Sequence, residues 1–138
     1  MNISQKGLDF IKDVEGVRLM AYQDVKGIWT IGVGHTGPEV VKGLVWTTEK
    51  VLDALQEDVQ ECVICINSKV TYPISQNQFD ALCSFIFNVG VGAFTRSTML
   101  KMINAGNLAG AIQQFDRWNI PAAILGRRMK EKKLFSTM

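Results

Sequence analysis

Long apolar runs are missing from this sequence, and cysteine and histidine are scarce. No run of about 18 apolar residues occurs, so the sequence predicts no membrane-spanning helix. The first residues, MNISQKGLDF, lack the basic, apolar and small-residue series of a secretory signal. We therefore expect synthesis in the cytoplasm and export by some other route. A chain of 138 residues that is 47% hydrophobic and 20% charged is typical of one globular domain with a sizeable core.

The three cysteines are an odd number in a chain without a secretory signal, which indicates reduced thiols rather than a disulfide framework. Cys62 and Cys65 form a C-x-x-C, but no second pair stands at zinc-ligand spacing. Both lie in a helical apolar pattern, so we interpret them, with Cys83, as small core residues. His35 is the single histidine and has no partner at ligand spacing. We expect no metal and no cofactor.

The net charge of +2 is unevenly distributed. Residues 1–61 carry ten acids and six bases, a balance of −4, whereas residues 62–138 carry three acids and nine bases, a balance of +6. Five of those bases lie in RRMKEKK, residues 127–133. Two interpretations stay open: a binding surface for an anionic partner such as nucleic acid, acidic membrane or cell wall, or a solvated helix face.

The first half of the chain predicts a helix, a hairpin and a second helix. Ser4 is a candidate N-cap and Gly16 a candidate C-terminal stop for the first helix. RLMAY and GIWTIGV are strand-like runs joined by the turn QDVKG, and residues 34–46 are typical of a loop. The apolar stripe in TTEKVLDALQEDVQECVICIN, residues 47–67, predicts a long helix.

The second half predicts helices throughout. Ser75 and Gln78 form a capping box at the start of a helix that ends at VGVG. Shorter helices are expected at STMLKMIN and NLAGAIQQF. Pro121 is a candidate first residue of the last helix. The architecture is therefore α+β, with a small hairpin lobe and a larger helical lobe joined by a long helix.

Three residues around the predicted hairpin have the chemistry of glycoside hydrolysis. That reaction needs an acid for the leaving oxygen and a second carboxylate near the sugar carbon. Glu15 ends the first helix, and Asp24 lies on the turn nine residues later. Glu15 at the negative end of a helix dipole is a candidate general acid, and Asp24 a candidate partner. The hydroxyl of Thr30 could hold a water beside Asp24. Two carboxylates at this spacing are a weak signal by themselves.

The segment EGVRLMAYQDVKGIWTIGVGHT resembles the active-site signature of phage-type lysozymes, the endolysins that open bacterial cell walls. QNQFDALCSFIFNVGVGAF is similar to the central helix of that family, and FDRWN and GRRMKE to its C-terminal segment. The resemblance implies a single lysozyme domain over residues 1–138. Its hairpin lobe would span about 13–46 and its helical lobe about 68–138, with helix 1–15 and a connecting helix 47–67.

Carried over position by position, the resemblance implies that the catalytic residues are Glu15, Asp24 and Thr30. It places substrate contacts at Thr36, Phe87 and Ser97, although Phe87 also fits a core aromatic and Ser97 a helix cap. It further implies a structural ion pair between His35 and Asp58 on the long helix. The segment IPAAIL after Asn119 is a few residues shorter than is usual in the family, which leaves the subsite length open.

The function implied is hydrolysis of the β-1,4 bond between N-acetylmuramic acid and N-acetylglucosamine in peptidoglycan. We expect a monomer without nucleic-acid binding or stable membrane insertion, exported through a holin and acting in the periplasm. A lytic transglycosylase, which forms an anhydro sugar, is the enzymatic alternative. A non-catalytic wall-binding relic would be expected to have lost a catalytic group, and none is lost. A nucleic-acid binder rests only on the basic second half.

Overall fold

The computed structural model describes residues 1–119 and 124–137. The chain divides into two compact units, Leu8–Gln60 and Met1–Gly7 with Glu61–Met138. Helices α1 (Gln5–Glu15) and α2 (Thr48–Lys69) each contribute residues to both units. No helix in the described part of the chain is both long enough and apolar enough to cross a membrane.

The unit Leu8–Gln60 contains a three-stranded antiparallel sheet. Strands β1 (Arg18–Gln23), β2 (Trp29–Gly32) and β3 (His35–Thr36) are hydrogen-bonded in the order β1-β2-β3. The predicted hairpin is confirmed, with Tyr22 opposite Thr30. Residues 34–46 are rich in loop as expected, but they also contain the unpredicted strand β3, where Thr36 pairs with Thr30 and His35 with Ile31. A two-residue strand between glycines is too short to show an alternating pattern.

The helical unit contains α3 (Gln76–Val89), α4 (Val91–Thr95), α5 (Thr98–Asn104), α6 (Leu108–Gln114) and α7 (Leu125–Ser136). The predicted capping box is confirmed: Ser75 accepts a hydrogen bond from the N–H of Gln78, whose side chain accepts one from the N–H of Ser75. Helix α4 was not predicted, because its glycine-rich sequence is typical of a loop. Gly90, with φ +97°, separates it from α3. Pro121 and most of the short IPAAIL segment lie outside the described residues.

The core of the helical unit is built on aromatic side chains. Phe85 makes edge-to-face contacts with Phe115 and Trp118, with ring centroids 5.5 and 5.3 Å apart. All three cysteines are buried thiols outside any disulfide, as predicted. Burial raises the pKa of the Cys65 and Cys83 thiols, so these groups stay protonated and behave as small apolar side chains.

Candidate active site

Asp24 is fixed in the hairpin turn by its own side chain. Its Oδ1 accepts hydrogen bonds from the backbone N–H groups of Lys26 and Ile28, at 2.8 and 2.9 Å. Its backbone N–H donates to the carbonyl of Ile28, and its carbonyl accepts from Gly27, whose φ is +79°. Two donors fill the acceptor positions of Oδ1. Within the described residues no hydrogen bond reaches Oδ2, which is therefore the oxygen with open acceptor positions.

Thr30 lies on β2 and is 4% exposed. Its hydroxyl donates to the carbonyl oxygen of Ile28 at 2.9 Å. Because a hydroxyl has one hydrogen, the remaining capacity of Thr30 Oγ1 is as an acceptor. This hydroxyl can therefore accept a hydrogen bond from a water molecule but cannot donate one to it in this geometry.

Glu15 is the last residue of α1 and is half-buried. Gly16 ends the helix with φ +79°, and its N–H donates to the carbonyl of Lys12 at 2.8 Å. The Glu15 carboxylate lies against the backbone of Gly34, which joins β2 to β3. A Cβ on Gly34 would be only 3.1 Å from Glu15 Oε2. The missing side chain at Gly34 therefore leaves the space that the carboxylate uses.

The phenol of Tyr22 experiences the negative charges of both Glu15 and Asp24. Burial raises the pKa of its phenol, and the negative charges of Glu15 and Asp24 raise it further, whereas Arg18 opposes the shift. The ring also carries the Arg18 guanidinium, whose Cζ is 4.4 Å from the ring centroid. The phenol thus stays neutral beside Glu15, Asp24 and Arg18. Tyr22 gives no signal of a site residue in the sequence, because a strand tyrosine is ordinary in a half-buried sheet.

His35 bridges two carboxylates, and the predicted pair with Asp58 is confirmed. His35 Nδ1 lies 2.6 Å from Asp58 Oδ2, and Nε2 lies 2.6 Å from Glu39 Oε1. Burial alone would lower the His35 pKa, but the hydrogen bonds and charges of Glu39 and Asp58 outweigh it and raise the pKa. The Glu39 partner was missed, because an acid in a loop gives no local signal. Among the described residues no group of three metal-ligating side chains occurs.

A family model described as phage lysozyme matches residues 12–131. The chain belongs to the phage lysozyme family. It is 45% identical to the endolysin of Salmonella phage P22, with 98% of each chain covered. It is 42% identical to the endolysin of Acyrthosiphon pisum secondary endosymbiont phage 1, with 99% of each covered. Among solved structures, the endolysin from Escherichia coli O157:H7 phage FAHEc1 gives a TM-score of 0.93 at 36% identity, covering 99% of this chain and 94% of that one.

The fold is therefore that of a lysozyme, α+β as predicted, and the chain is an enzyme of the glycosidase class. The three candidate catalytic residues of this phage lysozyme family member all lie in the unit Leu8–Gln60. Thr36 is exposed on β3 and is the strand partner of Thr30. The catalytic roles of Glu15, Asp24 and Thr30 and the substrate contact at Thr36 stay predictions.

The other two candidate substrate residues lie in the helical unit. Ser97 is 5% exposed and is the N-cap of α5: it accepts from the N–H of Leu100 at 3.1 Å and donates to the carbonyl of Phe94 at 2.7 Å. These bonds agree with the helix-cap interpretation of Ser97. Phe87 is half-buried on α3 and does not belong to the fully buried core. Substrate contact by either residue stays a prediction.

The basic segment of α7 contains a buried ion network. Arg128 is 1% exposed and Glu131 is 0% exposed, with Arg128 Nη1 2.6 Å from Glu131 Oε1. Arg127 Nε donates to Glu131 Oε2 at 3.0 Å, and Ser84 also hydrogen-bonds that oxygen. The interpretation of this segment as a solvated face is wrong for Arg128, and both arginines neutralise a carboxylate of their own helix. Charge in a sequence does not reveal whether it is buried with a partner.

Proposed function

We propose that this chain hydrolyses the β-1,4 bond between N-acetylmuramic acid and N-acetylglucosamine in peptidoglycan, as an endolysin. Membership of the phage lysozyme family and near full-length similarity to two endolysins support peptidoglycan as the substrate. The observation that carries the proposed mechanism is the hydrogen bonding at Asp24 and Thr30. Together these residues leave one carboxylate oxygen and one hydroxyl oxygen, both acceptors, open on the hairpin.

These two acceptors suit the orientation of a nucleophilic water. A water that donates one hydrogen to Asp24 Oδ2 and the other to Thr30 Oγ1 keeps its lone pairs directed away from both residues. Asp24 then accepts the proton as the water attacks the anomeric carbon. The two backbone donors on Oδ1 hold the carboxylate in place. Thr30 contributes orientation rather than proton transfer.

Glu15 is the proposed general acid, which protonates the oxygen of the leaving sugar. Its half-buried carboxyl lies directly against Gly34. Attack by a water held on Asp24 and Thr30 gives inversion at the anomeric carbon. We predict a separation of about 6.5–9.5 Å between the two carboxyl groups, as inverting enzymes require, rather than the shorter spacing of retaining enzymes.

The domain organisation, oligomeric state and place of action are proposed from the resemblance to the family. We propose that the chain is one lysozyme domain that acts on the cell wall in the periplasm as a monomer, with Thr36, Phe87 and Ser97 contacting the glycan. Synthesis in the host cytoplasm and release through a holin complete the proposal. No cofactor takes part in the proposed steps.

Turbidity loss of outer-membrane-permeabilised Gram-negative cells tests the function. We expect clearing by the wild type, no clearing by Glu15→Gln, and normal clearing by Glu57→Gln, which removes the charge of an exposed acid on α2. Equal clearing by Glu15→Gln would show that Glu15 is not the acid. Binding of peptidoglycan by the wild type without clearing would favour a non-catalytic wall-binding module.

A further inference from the structure

Arg18 is an exposed cation on the strand that leads to Asp24. Among residues 1–119 and 124–137 it makes no ion pair and no side-chain hydrogen bond, although an arginine fork matches a carboxylate well. Its guanidinium instead lies over the Tyr22 ring, with Cζ 4.4 Å from the centroid. A cation above an aromatic face is held by the ring quadrupole. Within the described residues the arginine is thus held by an aromatic ring rather than by a carboxylate.

Tyr22 is placed to act on the site through this contact. Tyr22 and Thr30 are direct partners in the antiparallel ladder, so their side chains share one face of the sheet. Asp24 lies two residues after Tyr22, in the turn that directly follows the last residue of β1. The Arg18 guanidinium contacts the Tyr22 ring directly. The negative charges of Glu15 and Asp24 raise the pKa of the Tyr22 phenol, which agrees with carboxylates on this side of the hairpin.

An unrestrained Arg18 would compete with the nucleophilic water. Asp24 Oδ1 already accepts two backbone N–H groups, so Oδ2 is the oxygen that a guanidinium could take. Arginine brings a positive charge and a two-pronged donor to a carboxylate, whereas water is neutral and donates through one hydrogen at a time. Occupation of Oδ2 by Arg18 would therefore displace the water that the mechanism needs.

We propose that Tyr22 is a positioning residue whose ring holds the Arg18 guanidinium and so keeps Asp24 Oδ2 open to the nucleophilic water. This inference rests on the proposed function. It assigns the effect to the aromatic face rather than to the hydroxyl. Phenylalanine at position 22 should therefore support the reaction, whereas leucine, similar in size but without a ring, should not.

The test is a double-mutant cycle on kcat and KM with soluble, uncrosslinked peptidoglycan fragments. In the presence of Arg18 we expect Tyr22→Leu to lower kcat by at least about tenfold, because a positioned base contributes about 100-fold or more. KM should change by less than about threefold, since the lost interaction is with the reacting water. In an Arg18→Gln background the same replacement should change kcat by less than about twofold. Tyr22→Phe should keep most of the activity.

Two results would overturn the inference. A tenfold loss from Tyr22→Leu that persists in the Arg18→Gln background would show that the ring acts by packing and not through Arg18. A loss from Tyr22→Phe as large as that from Tyr22→Leu would assign the role to the hydroxyl. Both comparisons require an active wild type that depends on Glu15. An inactive wild type would instead refute the proposed function.

Discussion

Removing the charge of Glu131 is expected to destabilise the helical unit strongly. The Glu131 side chain is 0% exposed and accepts hydrogen bonds from Arg127, Arg128 and Ser84. Glu131→Gln keeps the shape of the side chain but leaves two arginines beside a neutral amide. Breaking a buried pair by removing one charge costs about 3–5 kcal/mol.

The expected change in melting temperature follows from this free-energy cost and from the unfolding entropy, which scales with chain length. For 138 residues the unfolding entropy is about 0.3 kcal/mol/K, so the expected decrease in Tm is about 10–17 °C. The same helix provides a matched control, the ion pair of Lys132 with Asp116 at 2.9 Å, in which the Asp116 side chain is 55% exposed. Exposed pairs contribute about 0.2–1 kcal/mol, so Asp116→Asn should lower Tm by no more than about 3 °C.

Thermal unfolding followed by circular dichroism, with urea titrations as a second measure, checks the difference between the two variants. We expect a large effect for the buried acid Glu131 and a small one for the exposed acid Asp116, whose partner Lys132 lies on the same helix as Glu131. Equal, small changes in Tm for Glu131→Gln and Asp116→Asn would refute the argument that burial decides the contribution of these pairs.

Three further predictions concern the unit Leu8–Gln60, which contains the sheet. Asp24→Asn should lower activity by about 100-fold or more, because the NH₂ group of asparagine cannot accept the proton of the attacking water. Its Tm should change little, because the asparagine oxygen still accepts the two N–H groups of the turn. Activity assays and melting curves check both expectations. Because the pKa of His35 is raised in the folded state, protonation of His35 stabilises the fold. This stabilisation is complete at pH values below 6.5, the usual pKa of histidine, and is lost as the pH rises through the raised pKa. Urea midpoints across this range should show a smaller pH dependence in His35→Gln. Gly34→Ala should lower activity more than Gly16→Ala, since both glycines have positive φ but only Gly34 lies against the Glu15 carboxylate; equal activities would contradict the role given to Gly34.

The sequence was most informative where the signal is local. The periodic apolar stripe of α2 and the capping box at Ser75 depend only on neighbouring residues, and both helices form where predicted. The hairpin was also predicted, because its two strand-like runs flank a turn. Strand β3 and helix α4 were missed, since both are short and lie among glycines that are typical of loops.

The site was predicted from resemblance far more than from pattern. Glu15, Asp24 and Thr30 are too ordinary in type and spacing to stand out by themselves. The contributions of Tyr22 and Glu39 depend on which side chains meet across the sheet or loop, and no sequence spacing encodes those contacts.

The most direct test of the proposed mechanism is mass spectrometry of the fragments released from purified peptidoglycan in ¹⁸O-labelled water. The account predicts reducing muramic acid ends that carry one labelled oxygen from the attacking water, and their loss in Asp24→Asn. Fragments lighter by the mass of one water and free of label would show an anhydro product, and would contradict a nucleophilic water held by Asp24 and Thr30.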